Sequence, residues 1–276
     1  MATTDIYHIS GSLSPSRHAV AFLGGNVDDG IQVDAFAAAR TAAADTRGTI
    51  IAWINVPDIT GTYTIFGMGD ANAAEYIEFT VAAGKLKCAV MDATVMQFDT
   101  STTSVVLTPH KWHHVAFTQD DMPRFYVNGV NVPRTDATNT DLLSWWNELA
   151  GIDGGHIGAA DSIAGDAALT QEFKGAISDV KYYNTQLTDQ QILDDYGGKH
   201  LSTGCIAWWK FEEDYTETIT PATNNGTAVG GIILTPNYSE FTSRLRNSPA
   251  AAPVVADTVC FTVSGQTGHA LVIKAA

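Results

Sequence analysis

The chain has 276 residues, of which 45% are hydrophobic and 16% charged. That supplies ample apolar surface for a core, and the length suits one large β domain with appendages better than two full domains. Thirty acidic against fifteen basic residues give a formal charge of −15, which repels nucleic-acid phosphate and anionic lipid heads at long range, so no nucleic-acid partner and no membrane insertion are expected. The acidity suits solubility, cation binding or life at high salt alike.

Residues 1–17 are polar, with Gly11 and Pro15, and read as an N-terminal arm. The start has neither the basic stretch nor the apolar core of a secretory signal, and the Ala-rich run from Ala35 to Ala44 is broken by Arg40, so the chain as given is expected to be soluble and not exported. Ala19 to Gly25 reads as a strand, followed by the acidic turn Asp28-Asp29-Gly30 and a second short strand. The Ala-rich segment after it predicts a helical turn, Ala being the best helix former. From Gly48 a β-branched run carrying Trp53 ends at Pro57, and a strand from Tyr63 to Asp70 follows the turn at Thr60-Gly61. Glu75 to Val81 and Lys85 to Met91 flank Ala83-Gly84 and form a hairpin. The cysteines, Cys88, Cys205 and Cys260, are odd in number and far apart, which is no disulfide framework. Cys88 alternates inward with Leu86 and Val90 and reads as a buried small hydrophobe.

Lys111 to Val132 holds two apolar runs of period two, joined where Asn128-Gly129 supplies the positive φ angles of a two-residue hairpin. His113 and His114 point to opposite faces of their strand, so they cannot hold one ion together and read as packing residues. Residues 139–149 interrupt the strands as a long loop, the usual seat of binding on a rigid scaffold. Its Trp145 and Trp146 are the candidate ligand-binding residues, either stacking on a sugar ring or anchoring a protein partner; the alternative is that they cap the core. A strand from Phe173 to Tyr183 precedes a short helix, in which Thr188 and Gln191 form a capping box and Leu187 packs on Ile192. The helix runs to about Tyr196 and stops at Gly197-Gly198.

The Lys111–Val132 hairpin, the strand Phe173-Lys-Gly-Ala-Ile-Ser-Asp-Val-Lys-Tyr-Tyr-Asn184, the strand carrying Trp53 and the one ending in Gly69-Asp70 together resemble the laminin G-like, concanavalin A-like family of jelly-roll domains. The resemblance implies an all-β, two-sheet antiparallel jelly-roll sandwich with one short helix. Gly204 to Asp214, then Asn224 to Gly230, resembles the first strand and first loop of the same family, which normally precede everything else. The family order is therefore circularly permuted here, with a jelly roll over residues 18–246 whose segment 204–241 completes the sandwich. The rival reading, the start of a second repeat, has too few residues left to build one.

Glu212, Asp214 and Glu217 share their Glu-x-Asp-x-x-Glu spacing with the catalytic strand of laminarinase-type glycoside hydrolases on this fold. Retaining hydrolysis needs two carboxylates roughly 5 Å apart across the sugar bond, which alternate positions on a strand provide. The intervening Glu213, Tyr215 and Thr216 lack the apolar alternation of a buried catalytic strand, and no nucleophile elbow, phosphate loop, zinc spacing or dinucleotide fingerprint occurs, so catalysis is not expected. The resemblance further implies one structural calcium joining Asp179 to Glu212 or Glu213. Residues 247–276 read as a Pro/Ala linker and a β-hairpin arm, whose Phe261 and Val263 suit strand addition onto another copy of the chain or a capsid protein. The leading expectation is a non-catalytic lectin-like module on the surface of a virus or phage particle, as a decoration or fibre protein that binds host glycans. The alternatives are an exported carbohydrate-binding module of a cell-surface protein and, third, the hydrolase.

Overall fold

The computed structural model describes residues 17–22, 28–70, 75–160, 169–212, 214–220 and 224–238. Two antiparallel sheets pack face to face. The first contains β1 (Arg17–Phe22), β3 (Gly48–Asn55), β8 (Trp112–Gln119), β9 (Arg124–Val127), β10 (Val130–Val132), β13 (Gly175–Tyr183), β14 (Cys205–Trp209) and β16 (Ile233–Tyr238). The second contains β2 (Gly30–Gln32), β4 (Thr62–Gly69), β5 (Tyr76–Ala82), β6 (Lys85–Asp92), β7 (Val95–Thr102), β11 (Arg134–Asn139), β12 (Gly154–Ile157) and β15 (Thr227–Val229), in the order β11-β7-β6-β5-β4-β12-β2-β15.

The alternation of each strand explains the layering. In β5, Ile77, Phe79 and Val81 are buried toward the first sheet, while Tyr76, Glu78 and Thr80 point away from it, as period-two geometry requires. Leu86, Cys88 and Val90 of β6 fill the same layer, meeting Phe117 and Phe125 of the first sheet through Phe79 at ring distances of 6.0 and 6.4 Å. The hairpin turns carry the expected left-handed residues: Asn128 and Gly129 have φ of 52° and 80°, and Ala83 and Gly84 have 50° and 74°. The segment read as the family's first strand is β14, which pairs with β13 from Val180↔Trp209 to Tyr183↔Cys205. β1 pairs with the other half of the same strand, Val20 opposite Ile177. The two partners therefore lie end to end along β13, and Asp179, with φ of 50°, forms the bulge at the handover.

Among the described residues there are two helices. The Ala-rich sequence predicts a turn, but α1 (Asp34–Ala43) has ten residues, because Phe36 and Ala37 bury against the sandwich and tertiary packing extends what propensity begins. α2 (Asp189–Tyr196) has the expected capping box between Thr188 and Gln191, with Leu187 and Ile192 buried in one cluster. It lies on the outer face of the first sheet. There Asp195 bonds His114 Nε2 at 3.1 Å and Lys181 Nζ at 2.7 Å, all three side chains being buried. His113, on the opposite face, accepts through Nε2 from the Thr108 N–H at 3.0 Å. The N-terminal arm and the C-terminal arm with Phe261 and Val263 lie outside the described residues.

Candidate binding site

The outer face of the second sheet holds a hollow of about 400 Å³. Its floor follows from which residues face one another across the strands. Glu78 on β5 stands opposite Gly67 of β4 and Ala89 of β6, two small neighbours that leave the sheet face low there. Thr80 continues the floor, and Tyr76 closes one end. One rim is Lys87, paired with Asp99 of β7 at 2.9 Å. The other rim is the segment after β12, which folds back over β4 through the reciprocal backbone bonds of Ala160 and Thr170 and brings Gln171 to the edge. Gly67 is needed for that approach: a Cβ there would lie 2.5 Å from the Ala159 carbonyl oxygen.

The hollow has one aromatic ring, hydroxyl and amide groups, a carboxylate and a lysine. Glu78 is a buried carboxylate in the lining, 9% exposed, with its Oε1 shielded from solvent. Burial, then the negative charges of Glu78 and Asp99, push the Tyr76 hydroxyl up to about 12, so it stays a protonated donor at neutral pH. An aromatic face beside converging hydrogen-bonding groups is the chemistry that grips a polyhydroxylated ring.

The sequence-derived candidates fall elsewhere. Trp145 and Trp146 are buried, at 0% and 1% exposure, and offer no platform for a ligand. Trp145 donates to the Tyr182 hydroxyl at 3.3 Å and lies 5.9 Å from the Phe117 ring, while Trp146 makes edge contacts with Phe36 and Tyr182. Two large rings gain more by filling the end of the sandwich than by standing in water, so the loop 139–149 caps the core.

The acidic trio does not form a catalytic strand either. β14 ends at Trp209, and the described residues between 211 and 220 are bends and irregular backbone apart from one isolated bridge of Glu217 to Trp209, so no strand alternation aligns these carboxylates there. Glu217 is fully buried and accepts from the backbone N–H groups of Trp208, Ile219 and Thr220. That makes it a brace for the chain beyond β14. The Thr216 hydroxyl, and then the Thr216 N–H from which Asp214 accepts at 2.8 Å, hold the Asp214 carboxyl below its usual range. Glu212 is exposed, and its carbonyl faces the His18 ring at 3.0 Å. Asp179 accepts from the Trp208 indole N–H at 3.2 Å. Glu213 lies outside the described residues, among which no group of three or more His, Cys, Asp or Glu side chains gathers as a metal cage.

The residues of the hollow did carry a signal in the sequence: Tyr76, Glu78 and Thr80 alternate with Ile77, Phe79 and Val81, marking one wet and one dry face.

Comparison with known proteins agrees with this architecture. A search of curated proteins gives no match. The carbohydrate-binding module (CBM40) of a Ruminococcus gnavus IT-sialidase, solved with α2,3-sialyllactose, superposes with a TM-score of 0.54 at 12% identity, over 66% of this chain and 98% of that one. The leech intramolecular trans-sialidase superposes with a TM-score of 0.53 at 18% identity, over 70% of this chain and 29% of that one. At such identities the likeness is one of fold. The model of the concanavalin A-like lectin/glucanases superfamily matches residues 24–193. With well over half of its length matched, and the two-sheet sandwich in place, the chain belongs to that superfamily.

Proposed function

We propose that the protein is a non-catalytic, lectin-like carbohydrate-binding module whose ligand sits in the hollow of the second sheet. The observation that carries this reading is the lining itself: Tyr76, Glu78, Thr80 and Gln171 converge on a solvent-open hollow of about 400 Å³ on a rigid sheet. The ring of Tyr76 suits stacking on the C–H face of a sugar, and the others suit its hydroxyls. The carbohydrate-binding modules that share the fold support a binding role, and the amide-bound Glu217 weighs against the hydrolase. A glycan array followed by calorimetry on the best ligand tests it. Tyr76→Ala is expected to weaken binding at least tenfold, about 1.4 kcal/mol, without unfolding the protein; unchanged affinity removes the hollow as the site.

We propose further that the module is displayed on a virion, where residues 248–276 join a neighbouring copy or a capsid protein by strand addition. The support is their pattern, a Pro/Ala linker followed by two alternating apolar runs. Deleting residues 248–276 is expected to leave a folded sandwich that no longer assembles; a deletion variant that assembles like the full chain overturns this setting.

A further inference from the structure

Resting on the carbohydrate reading above, we infer that Gln171 is a specificity-determining residue of the hollow, and that its carboxamide reads two adjacent hydroxyls of a sugar ring. Gln171 belongs to the lining, yet its backbone has a φ of 52°. That left-handed conformation crowds an L side chain and suits glycine, so the fold holds a glutamine there against its preference. The hold is firm on both sides. Thr170 exchanges backbone bonds with Ala160 at 2.8 and 3.2 Å, the Gln171 carbonyl accepts from the Thr64 N–H at 2.8 Å, and the Phe173 N–H donates to the Gly158 carbonyl at 2.7 Å. Phe173 is itself buried against Phe22, with ring centroids 5.7 Å apart. A strained residue over-determined by its neighbours, at the edge of a hollow, is placed for contact with a ligand.

Strand register sets what the glutamine faces. Thr64 stands opposite Thr80, and Thr80 opposite Lys87, so Gln171 and Lys87 occupy the two sides of the floor at Thr80. Their states differ. Lys87 is held by Asp99 at 2.9 Å, whereas the half-buried Gln171 side chain exchanges no hydrogen bond with any of the described residues. Among the described residues it is also the one carboxamide of the lining. An uncharged carboxamide offers an N–H donor and a C=O acceptor side by side. Two hydroxyls on adjacent ring carbons match it, since one accepts from the amide while the other donates to it. A deoxy ring that lacks either hydroxyl leaves half of the carboxamide unsatisfied, and that loss is the source of discrimination.

The probes are the methyl glycosides of glucose, galactose and mannose with their monodeoxy analogues, titrated into the full chain by calorimetry. For the sugar that binds, removing either member of one adjacent hydroxyl pair is expected to weaken the wild type at least about fivefold. Gln171→Met keeps the side chain's length without donor or acceptor. It is expected to bind the parent sugar at least about fivefold more weakly and to lose the penalty for removing that pair. Gln171→Gly is expected to lose the same discrimination while keeping the wild-type melting temperature, because glycine takes the left-handed position freely. A Gln171→Met variant that binds like the wild type, or whose penalties for the missing hydroxyls are unchanged, overturns the inference. A Gln171→Gly variant that loses stability marks the side chain as a brace of the fold and overturns it as well. In each of these cases weakening by Tyr76→Ala leaves the carbohydrate reading intact. If none of the sugars binds, the inference falls, and with a blank glycan array the carbohydrate reading falls with it.

Discussion

Replacing Asp195 with Ala should destabilise the protein by about 3 kcal/mol, a value that follows from what the substitution strands. Asp195 fastens α2 to the first sheet through Lys181 at 2.7 Å and His114 at 3.1 Å, and the lysine side chain is only 8% exposed. Without the carboxylate, the ammonium stays buried with no counter-charge, which costs about 3–5 kcal/mol. The lower end applies, because Lys181 keeps a cation–π contact with Trp208 at 4.9 Å. In a domain of this size the loss corresponds to about 6–12 °C in Tm. Urea unfolding followed by tryptophan fluorescence reads it directly, and a loss below about 1 kcal/mol refutes the reasoning. The pH dependence provides a second check. Burial raises the Asp195 carboxyl, but the His114 bond and the Lys181 charge outweigh it and hold it below its ordinary 3.8. A depressed carboxyl contributes its full stabilisation above that ordinary value and loses it as pH falls through the folded one. The difference between wild type and Asp195→Ala should therefore be constant at neutral pH and shrink only below pH 3.8. Replacing the pair together, Lys181→Met with Asp195→Leu, should recover most of the stability, since no charge is left buried.

Gly48→Ala should cost about 1–3 kcal/mol in a urea melt, because its Cβ would press to 2.8 Å from Trp145 Nε1, 2.9 Å from the Tyr182 hydroxyl and 3.1 Å from the Tyr183 carbonyl. Glu217→Ala orphans three backbone N–H groups and should cost about 3 kcal/mol; a variant as stable as wild type would show that the carboxylate braces nothing. For the calcium expected between Asp179 and Glu212 or Glu213, the measurement is the Tm before and after chelation: a bound ion gives a fall that calcium reverses and that Asp179→Asn abolishes, and an unchanged Tm removes the site.

The local features were legible because their causes are local. Asn128-Gly129 and Ala83-Gly84 turn where short-range backbone preference says they must, and Thr188 with Gln191 caps a helix whose end is set by its own glycines. That Cys205–Trp209 forms a strand was legible from its apolar run, and it pairs with β13. The hollow was not, although the alternation through Tyr76, Glu78 and Thr80 was visible. Its shape depends on Gly67 and Ala89 falling opposite Glu78, and on the segment near Ala159 folding over β4, and neither register is written in any one stretch. Trp145 and Trp146 misled for a related reason. A loop rich in large aromatics looks like a binding loop until its neighbours in space are known, and those neighbours, Phe36, Phe117 and Tyr182, are scattered across the chain.

The end-to-end arrangement of β1 and β14 along β13 bears on how the protein is made. Among the described strands β1 leaves the ribosome before the others, yet Val20 pairs with Ile177 on one side and Leu234 on the other, so both partners are synthesised long after it. β14, by contrast, meets β13 soon after both emerge. Pairings this distant in sequence are slow to form, and they leave the apolar Val20 and Phe22 uncovered during translation. Nascent chains stalled before β13 should therefore need a holding chaperone, and chains that have passed β16 should not.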